Sequence, residues 1–249
     1  MEPQAYCIHR AFEAAGPRLF RLDRHYFVYA LEGSLRLEAD GRRWTLPPAR
    51  GALIEADHPV RISVPARFIS ASVLFDSAMF KPSQPLAVFD VSPLARELVR
   101  ECRQWGRDDE DQTPHARQMF RALASVIGQL ARTPSPCVLP VPTSREMMRA
   151  LAMIEDAPAD QPDFAVIARA TGQSPRTLAR RFASEMRMTG RETLQRIRII
   201  HAVEILALGN ASITDVALQV GYTSLSAFNA AFRQVMGMTP SQYRMAYRG

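Results

Sequence analysis

The pattern of hydrophobic and polar positions divides the chain into an N-terminal part with strand periodicity and a C-terminal part with helical periodicity. From Phe20 to about Phe89, short runs of aromatic and branched residues are separated by turn signals. Leu35, Leu37 and Ala39 alternate with charged residues, and the Asp40-Gly41 pair that follows favours a type I′ hairpin turn. Many short antiparallel strands at this spacing predict a β-barrel or jelly roll.

Helical periodicity begins after this β region. Ser92-Pro93 is suited to start one helix, with Leu94, Leu98 and Cys102 on one stripe, and Thr113-Pro114 is suited to start a second. Two amphipathic helices joined by a short polar loop predict an antiparallel hairpin. Its apolar faces would pack either on the β region or against a second subunit, and periodicity alone leaves both alternatives open.

A proline-rich stretch separates the two parts of the chain. Four prolines lie between Thr133 and Pro142, and each restricts itself and its predecessor to extended conformations. We therefore expect a β domain with a helical hairpin at residues 1–133, a linker at 134–142 and a helical domain at 143–249.

The helical domain contains the same helix-turn-helix pattern twice, at residues 163–183 and 212–233. Asp163 and Ser212 are suited to cap the first helix of each unit. Gly172 and Gly221 are suited to form the tight turns, because a residue without Cβ tolerates positive φ. Leu178 with Phe182, and Phe228 with Phe232, would then face the core.

One long helix is predicted between the two units, from about Arg191 to Leu208. It would span about 27 Å at 1.5 Å per residue. With the helix diameters added, the second helices of the two units would lie about 34 Å apart, which is one turn of DNA. Such an arrangement would place them in successive major grooves on one side of the duplex.

The charge distribution agrees with a polyanionic partner. The net charge is +6 and the isoelectric point about 9.7. The basic charge is concentrated in Arg169–Arg198, which contains eight arginines against Glu185 and Glu192. This concentration, more than the total, indicates nucleic acid as the partner.

The remaining composition predicts a soluble, cytoplasmic protein. Cys7, Cys102 and Cys137 are far apart and fit neither a disulfide framework nor a zinc pattern, so we expect reduced structural thiols. The N-terminus lacks the apolar region of a signal peptide, and no run has the length of a membrane span.

Two stretches resemble the AraC/XylS family of transcription regulators. FVYALEGSLRLEADGRRWTLPPARGALIEAD resembles the cupin-like sensor domain of AraC-type regulators. GQSPRTLARRFASEMRMTGRETLQRIRIIHAVEILALGNASITDVALQVGYTSLSAFNAAFRQVMGMTPSQYR is similar to the family signature over about a hundred residues. The resemblance implies a two-domain fold: an N-terminal cupin-like β-barrel or jelly roll with a helical hairpin, and a C-terminal all-α double helix-turn-helix domain of seven helices. It also implies promoter DNA, RNA polymerase and a second subunit as partners, and it favours an activator.

The outward positions of the two units are the candidate DNA contacts. Arginine can bond a guanine edge with two donors, which favours base contacts by the first unit. We expect base contacts from Arg176, Ala179, Arg180, Leu225, Ser226 and Asn229. We expect contacts with the DNA backbone from Ser174, Arg181, Arg187, Arg191, Arg196, Ser224, Arg233 and Arg244. For each arginine, a phosphate contact or a solvated side chain is the alternative. Because Leu225 stands where many relatives have a polar residue, the second unit is expected to read bases less strongly.

The β domain is predicted to lack metal chemistry and to require no cofactor. A metal site needs three or four convergent ligands. The upstream positions where cupins have them are Phe20, Leu22 and Tyr26, which leaves His25 and His58 isolated. A metal-dependent cupin enzyme with a DNA-binding tail is therefore disfavoured, and we expect no enzyme.

A small-molecule effector remains an alternative for the β domain, beside a domain that serves only for oligomerisation or protein contact. A barrel of this kind can hold a small ligand. The candidate lining residues are Arg24, His25, Tyr26, Tyr29 and Trp44. The alternative is that these side chains fill the barrel, and the sequence does not fix which strand face points inward.

Overall fold

The computed structural model describes residues 3–48, 50–109, 112–160 and 162–247. The chain divides into two compact units. The first consists mainly of Met1–Ala39 and Thr45–Ser135, and the second of Asp40–Trp44 and Pro136–Met245.

A five-stranded antiparallel sheet forms the centre of the first unit. Its strand order is β1-β8-β3-β6-β9. The strands are β1 (Ala5–Phe12), β3 (His25–Glu32), β6 (Arg50–Ile54), β8 (Phe68–Phe75) and β9 (Leu86–Asp90). Burial along β6 and β8 is almost continuous because both faces of this sheet are covered.

A second antiparallel sheet in the first unit has the order β4-β7-β2, formed by β2 (Ala15–Phe20), β4 (Leu35–Ala39) and β7 (Val60–Val64). The strand β5 (Arg42–Leu46) follows β4 in the chain, and its residues Arg42–Trp44 group with the second unit. The predicted hairpin between β4 and β5 is confirmed, since Asp40 and Gly41 have φ of 49° and 69°. Both central residues of a type I′ turn need positive φ.

The predicted β region began too late in the chain. Strands β1 and β2 precede Phe20, and β1 pairs with β8 over its whole length, from Ala5 opposite Phe75 to Phe12 opposite Phe68. β1 was missed because it is an edge strand whose second half is exposed, and its polar residues hide the alternation.

Two helices cover one face of the central sheet. They are α1 (Pro93–Cys102) and α2 (Pro114–Leu130), and Ser92 and Thr113 cap them as predicted. The predicted stripe on α1 was partly wrong, because Leu94 is 59% exposed and the buried stripe is Ala95, Val99 and Cys102. Together with Phe120, Leu123 and Ile127 of α2, these side chains form one core with residues of β3 and β8, namely Phe27, Tyr29, Ala71, Val73 and Phe75.

The second unit is helical. A short strand, β10 (Leu139–Pro140), pairs with Arg42 and Arg43, which belong to the same unit. In the described part of the chain seven helices follow, as the family resemblance implied. They are α3 (Arg145–Asp156), α4 (Phe164–Ala170), α5 (Pro175–Arg181), α6 (Gly190–Leu208), α7 (Ile213–Gln219), α8 (Leu225–Met236) and α9 (Pro240–Tyr247).

The predicted two-domain architecture is therefore confirmed, with a sheet-rich N-terminal unit and a helical C-terminal unit. The exact borders at residues 133 and 143 stay a prediction. Among the described residues, no helix is long and apolar enough to cross a membrane.

Candidate nucleic-acid interface

The first helix-turn-helix unit consists of α4, a turn and α5. Asp163 and Ser174 cap the two helices with their side chains. Between the helices, Gly172 takes a φ of 68° and the Gln173 N–H donates to the Ala168 carbonyl at 2.8 Å. Leu178 is buried, as its spacing predicted.

The outer face of α5 presents basic side chains to solvent. Arg176, Ala179 and Arg180 are all exposed, while Leu178 and Phe182 on the other face are buried. One turn of helix separates Arg176 from Arg180, so the two guanidinium groups share a face. This face can donate hydrogen bonds to a base edge or to a phosphate oxygen.

The first unit ends in a π-helical turn, Phe182–Met186, which continues α5 directly. Within it, the Glu185 carboxylate accepts hydrogen bonds from the Thr143 N–H at 3.0 Å and from the Ser144 N–H at 2.9 Å. Burial alone would raise the pKa of Glu185, but these donors bring it below its ordinary value. Arg187 then ends the turn in the left-handed conformation, with a φ of 53°.

The second unit repeats this backbone with α7 and α8. Ser212 and Asp215 form a capping box, and Ser224 caps α8. Gly221 has a φ of 85°, and the Tyr222 N–H donates to the Ala217 carbonyl at 2.9 Å.

The outer face of α8 differs in chemistry from that of α5. Leu225, Ser226 and Arg233 are exposed, and Asn229 is half-buried. Phe228 and Phe232 are buried as predicted, and Gly237 ends the helix with a φ of 74°. The outer face therefore offers an apolar side chain, a hydroxyl and an amide before its first arginine.

Helix α6 connects the two units. It begins one residue earlier than predicted, at Gly190, where Thr189 and Glu192 form a capping box. Its 19 residues correspond to about 28 Å at 1.5 Å per residue. In the first half of α6, the Gln195 amide donates to the Gln234 side chain of α8 at 3.1 Å.

A buried arginine on α6 contacts both the segment that precedes α4 and the turn between α7 and α8. The Arg198 guanidinium donates to the carbonyls of Pro158 at 2.7 Å, Ala159 at 3.3 Å and Asp160 at 3.0 Å. Its central carbon lies 5.5 Å from the centroid of the Tyr222 ring. Burial lowers the pKa of Arg198 and raises that of Tyr222.

Sequence reasoning missed this role of Arg198, because the residue was counted within the basic segment. No local signal distinguishes it, since its partners lie about forty residues away in the chain. The charge available on the surface of the segment is therefore smaller than the sequence suggests.

Several predicted phosphate-contacting arginines have intramolecular partners. Arg181 forms an ion pair with Glu146 at 2.9 Å. Arg196 donates to the Pro136 carbonyl at 3.0 Å, and Arg244 donates to the Ala211 carbonyl at 2.6 Å. The other predicted backbone-contacting side chains are exposed: Ser174, Arg187, Arg191, Ser224 and Arg233.

The five predicted ligand-lining residues of the β domain do not form one cluster. His25 and Tyr29 lie on the face of β3 that meets the helices, whereas Tyr26 faces the second sheet, where its ring centroid is 5.3 Å from that of Phe20. Trp44 groups with the second unit, and Arg24 donates to the Pro3 carbonyl at 3.1 Å.

The His25 ring has both nitrogens engaged within the protein. Nδ1 accepts from the Ala56 N–H at 2.9 Å, so the proton is on Nε2, which donates to the Phe80 carbonyl at 2.8 Å. Within the described ranges, no three His, Cys, Asp or Glu residues are grouped so that they could hold a metal ion.

Comparison with known proteins links both units to one family. A model of the AraC-binding-like domain matches residues 13–153, and a model of a helix-turn-helix domain matches residues 167–246. The HTH-type transcriptional regulator NimR of Escherichia coli K12 is 25% identical over 96% of this chain and 86% of its own length.

Shorter alignments concern parts of longer relatives. A putative AraC-like transcription regulator of Streptomyces lividans is 36% identical over 50% of this chain and 38% of its own length. The HTH-type transcriptional activator RhaS of Escherichia coli SE11 is 30% identical over 40% of this chain and 36% of its own length. This chain thus spans well under half of these two relatives.

The solved structure of ToxT from Vibrio cholerae is similar over 99% of this chain and 100% of its own. The identity is 14% and the TM-score 0.42.

Proposed function

Because this chain belongs to the AraC family of DNA-binding transcription regulators, we propose that it binds a promoter with α5 and α8 in successive major grooves. The observation that supports this arrangement most is the exposed face of α5, where Arg176 and Arg180 lie one turn apart. Helix α6 gives the spacing, since about 28 Å plus helix diameters approaches one DNA turn of about 34 Å.

In this proposal the first helix-turn-helix unit makes the stronger base contacts. Arg176 and Arg180 would each bond a guanine edge, and Ala179 between them would allow close approach. On α8, Ser226 and Asn229 would make polar base contacts, and Leu225 an apolar contact with a thymine methyl group. Half-burial of Asn229 shortens its reach, which supports a more tolerant second half-site.

The phosphate contacts of the proposal fall into two groups. The exposed arginines Arg187, Arg191 and Arg233 are available as they stand, and the helix N-termini at Ser174 and Ser224 would add backbone N–H donors. Arg181, Arg196 and Arg244 would first have to exchange an intramolecular partner for a phosphate. We therefore assign them the weaker share of the binding.

We assign regulation to the N-terminal unit. It would respond to a small-molecule effector, with oligomerisation alone as the alternative, and the chain would act in the cytoplasm as a homodimer. An activator that contacts RNA polymerase is the form we favour; RhaS, which shares 30% identity over 40% of this chain, is a transcriptional activator by name. The proposal includes no catalytic step.

The test begins with selection of binding sites from a random DNA pool by the full chain, followed by footprinting. We expect two protected windows about one helical turn apart on one side of the duplex, with the sequence of one window more strictly defined. A single protected window, or windows on opposite sides, would contradict the arrangement. Arg149→Ala removes an exposed arginine of α3. It is the matched control for the loss of one positive charge in the Arg180→Ala variant.

A further inference from the structure

A cavity of about 730 Å³ lies in the sheet-rich N-terminal unit, between α2 and the segment that connects β8 to β9. Its walls include three basic side chains, Lys81, Arg121 and Arg132, and the apolar surfaces of Met79, Phe80 and Ala124. The volume is in the range of sites that hold small organic ligands.

The segment that connects β8 to β9 runs alongside α2. Side-chain contacts hold it at two places, Phe80 and Gln84. At one end the Phe80 ring packs on Phe75 at 5.5 Å, and Phe75 in turn packs on Phe120 of α2 at 6.5 Å. At the other end the Gln84 amide donates to the Ala131 carbonyl at 3.1 Å. Lys81 follows Phe80 directly, and both residues line the cavity together with residues of α2.

The charge of the cavity is of one sign. Lys81, Arg121 and Arg132 are exposed at its mouth, and within the described ranges none of them has an ion pair with a carboxylate. The described lining contains no Asp or Glu. Like charges around a concave surface raise the local concentration of anions, because the low-dielectric walls focus the field.

Gly128 leaves the floor of the cavity open. It lies inside α2, where glycine is less favourable than alanine by its backbone entropy. A Cβ built on Gly128 meets nothing within 4 Å, so the packing of this unit does not require glycine there. The open space is lined by polar and basic groups as well as apolar ones, unlike an ordinary packing defect.

We propose that this cavity binds a small organic anion, with a carboxylate or phosphate headgroup and an apolar body. The headgroup would accept hydrogen bonds from Lys81 and Arg121, and Arg132 would add positive charge to the same lining. The apolar body would lie over Gly128 against Met79 and Phe80. This inference rests on the proposed regulatory function, for which it supplies the chemical class of the effector and its place outside the two sheets.

The test uses calorimetric titration of the full chain with octanoate and octyl phosphate, and with 1-octanol as the neutral match. We expect both anions to bind and octanol to bind at least tenfold more weakly, since the charge-assisted bonds are lost. Preference for one anion identifies the headgroup. Equal binding of octanol would overturn the proposal, as would failure of both anions to bind.

Two variants localise the binding. Arg121→Ala is expected to weaken octanoate binding about tenfold, whereas Arg61→Ala, which removes an exposed arginine on β7, leaves it unchanged. Gly128→Leu fills the cavity and is expected to abolish binding with the thermal unfolding temperature maintained. Unchanged octanoate binding by Gly128→Leu would place the ligand elsewhere and contradict the inference.

A separate measurement keeps the regulatory proposal distinguishable. Binding of the selected DNA is followed by fluorescence anisotropy with and without octanoate. Anion binding in the cavity with no selected DNA site would contradict the proposed function and leave the cavity assignment intact. Specific DNA binding without anion binding would contradict only the cavity assignment.

Discussion

The two helix-turn-helix units share a backbone and differ in the chemistry of their outer faces. Gly172 and Gly221 occupy equivalent places 49 residues apart, and Arg187 and Gly237, 50 residues apart, both end their units with positive φ. The offset grows by one because the turn of the second unit has one more residue before its capping serine. The capping and turn residues thus keep the backbone of the two units the same, while the exposed residues between them differ in chemistry.

The turns of the two units also differ in their surroundings. A Cβ on Gly172 would meet nothing within 4 Å, but one on Gly221 would lie 2.3 Å from the Ala159 carbonyl oxygen and 2.8 Å from the Arg198 guanidinium. The second turn is therefore a packed junction, and the first is an open turn. The second helix-turn-helix unit, which has fewer basic side chains on its outer face, is therefore the one whose turn is packed against the rest of the domain.

Replacement of the turn glycines is expected to show the largest difference. Gly221→Ala should lower the free energy of unfolding of the helical domain by roughly 2–5 kcal/mol, because positive φ and overpacking act together. Gly172→Ala has only the conformational cost, about 1–2 kcal/mol. Hydrogen exchange of the α4 and α7 amides in increasing urea measures both. Equal losses would show that the junction at Gly221 relaxes at no cost.

Replacement of outward side chains compares the two recognition faces directly. Arg180→Ala should weaken binding to the selected DNA by about 1–3 kcal/mol and relax the preference at one base pair. Asn229→Ala should cost less than about 1 kcal/mol. Anisotropy titrations with specific and random duplexes measure both variants. If Arg180→Ala weakened binding to random DNA equally, Arg180 would be a phosphate contact.

Glu185→Gln tests how the first recognition helix is held. The variant should lose about 1–2 kcal/mol at neutral pH, because two backbone donors lose their charged acceptor. Since the pKa of Glu185 is lowered in the fold, this stability is present above the ordinary carboxyl pKa and is lost as the pH falls through the lowered one. Unfolding measured over a pH series should therefore show the gap between the two proteins closing in acid, and a constant gap would exclude the ionic contribution.

Exchange of the C-terminal caps should give the smallest effect. Arg187→Gly is expected to raise the free energy of unfolding by about 0.5–1 kcal/mol, and Gly237→Ala to lower it by about 1 kcal/mol. Opposite signs in urea denaturation would confirm that both positions require the left-handed backbone conformation. If Arg187→Gly weakened DNA binding despite its greater stability, the phosphate contact assigned to Arg187 would be supported.

Local signals in the sequence were sufficient for the helical unit. Asp163 and Ser212 cap their helices as predicted. Short polar side chains at these places bond the backbone within three residues, so their role is decided locally. The spacing of buried residues in α5 and α8 followed for the same reason.

Features that depend on distant partners were not predictable in this way. Leu94 and Ala95 each begin an apolar stripe on α1, and only the position of the central sheet decides which stripe is buried. In the sequence Arg198 does not differ from the neighbouring arginines, and only its contacts with Pro158 and Tyr222 in the folded domain distinguish it. The cavity beside α2 combines segments forty residues apart, none of which has a distinctive motif.

The buried Arg198 has a consequence for how the second unit opens. One side chain on α6 bonds the carbonyls that precede α4 and packs on the tyrosine that follows the turn of α7. Displacing the segment before α4 breaks the hydrogen bonds of this guanidinium, and opening the second helix pair removes its contact with the Tyr222 ring. Amides of α4 and α7 should therefore exchange as one cooperative group, so that the two half-sites of a promoter are bound or released by a domain that folds and unfolds as a single foldon.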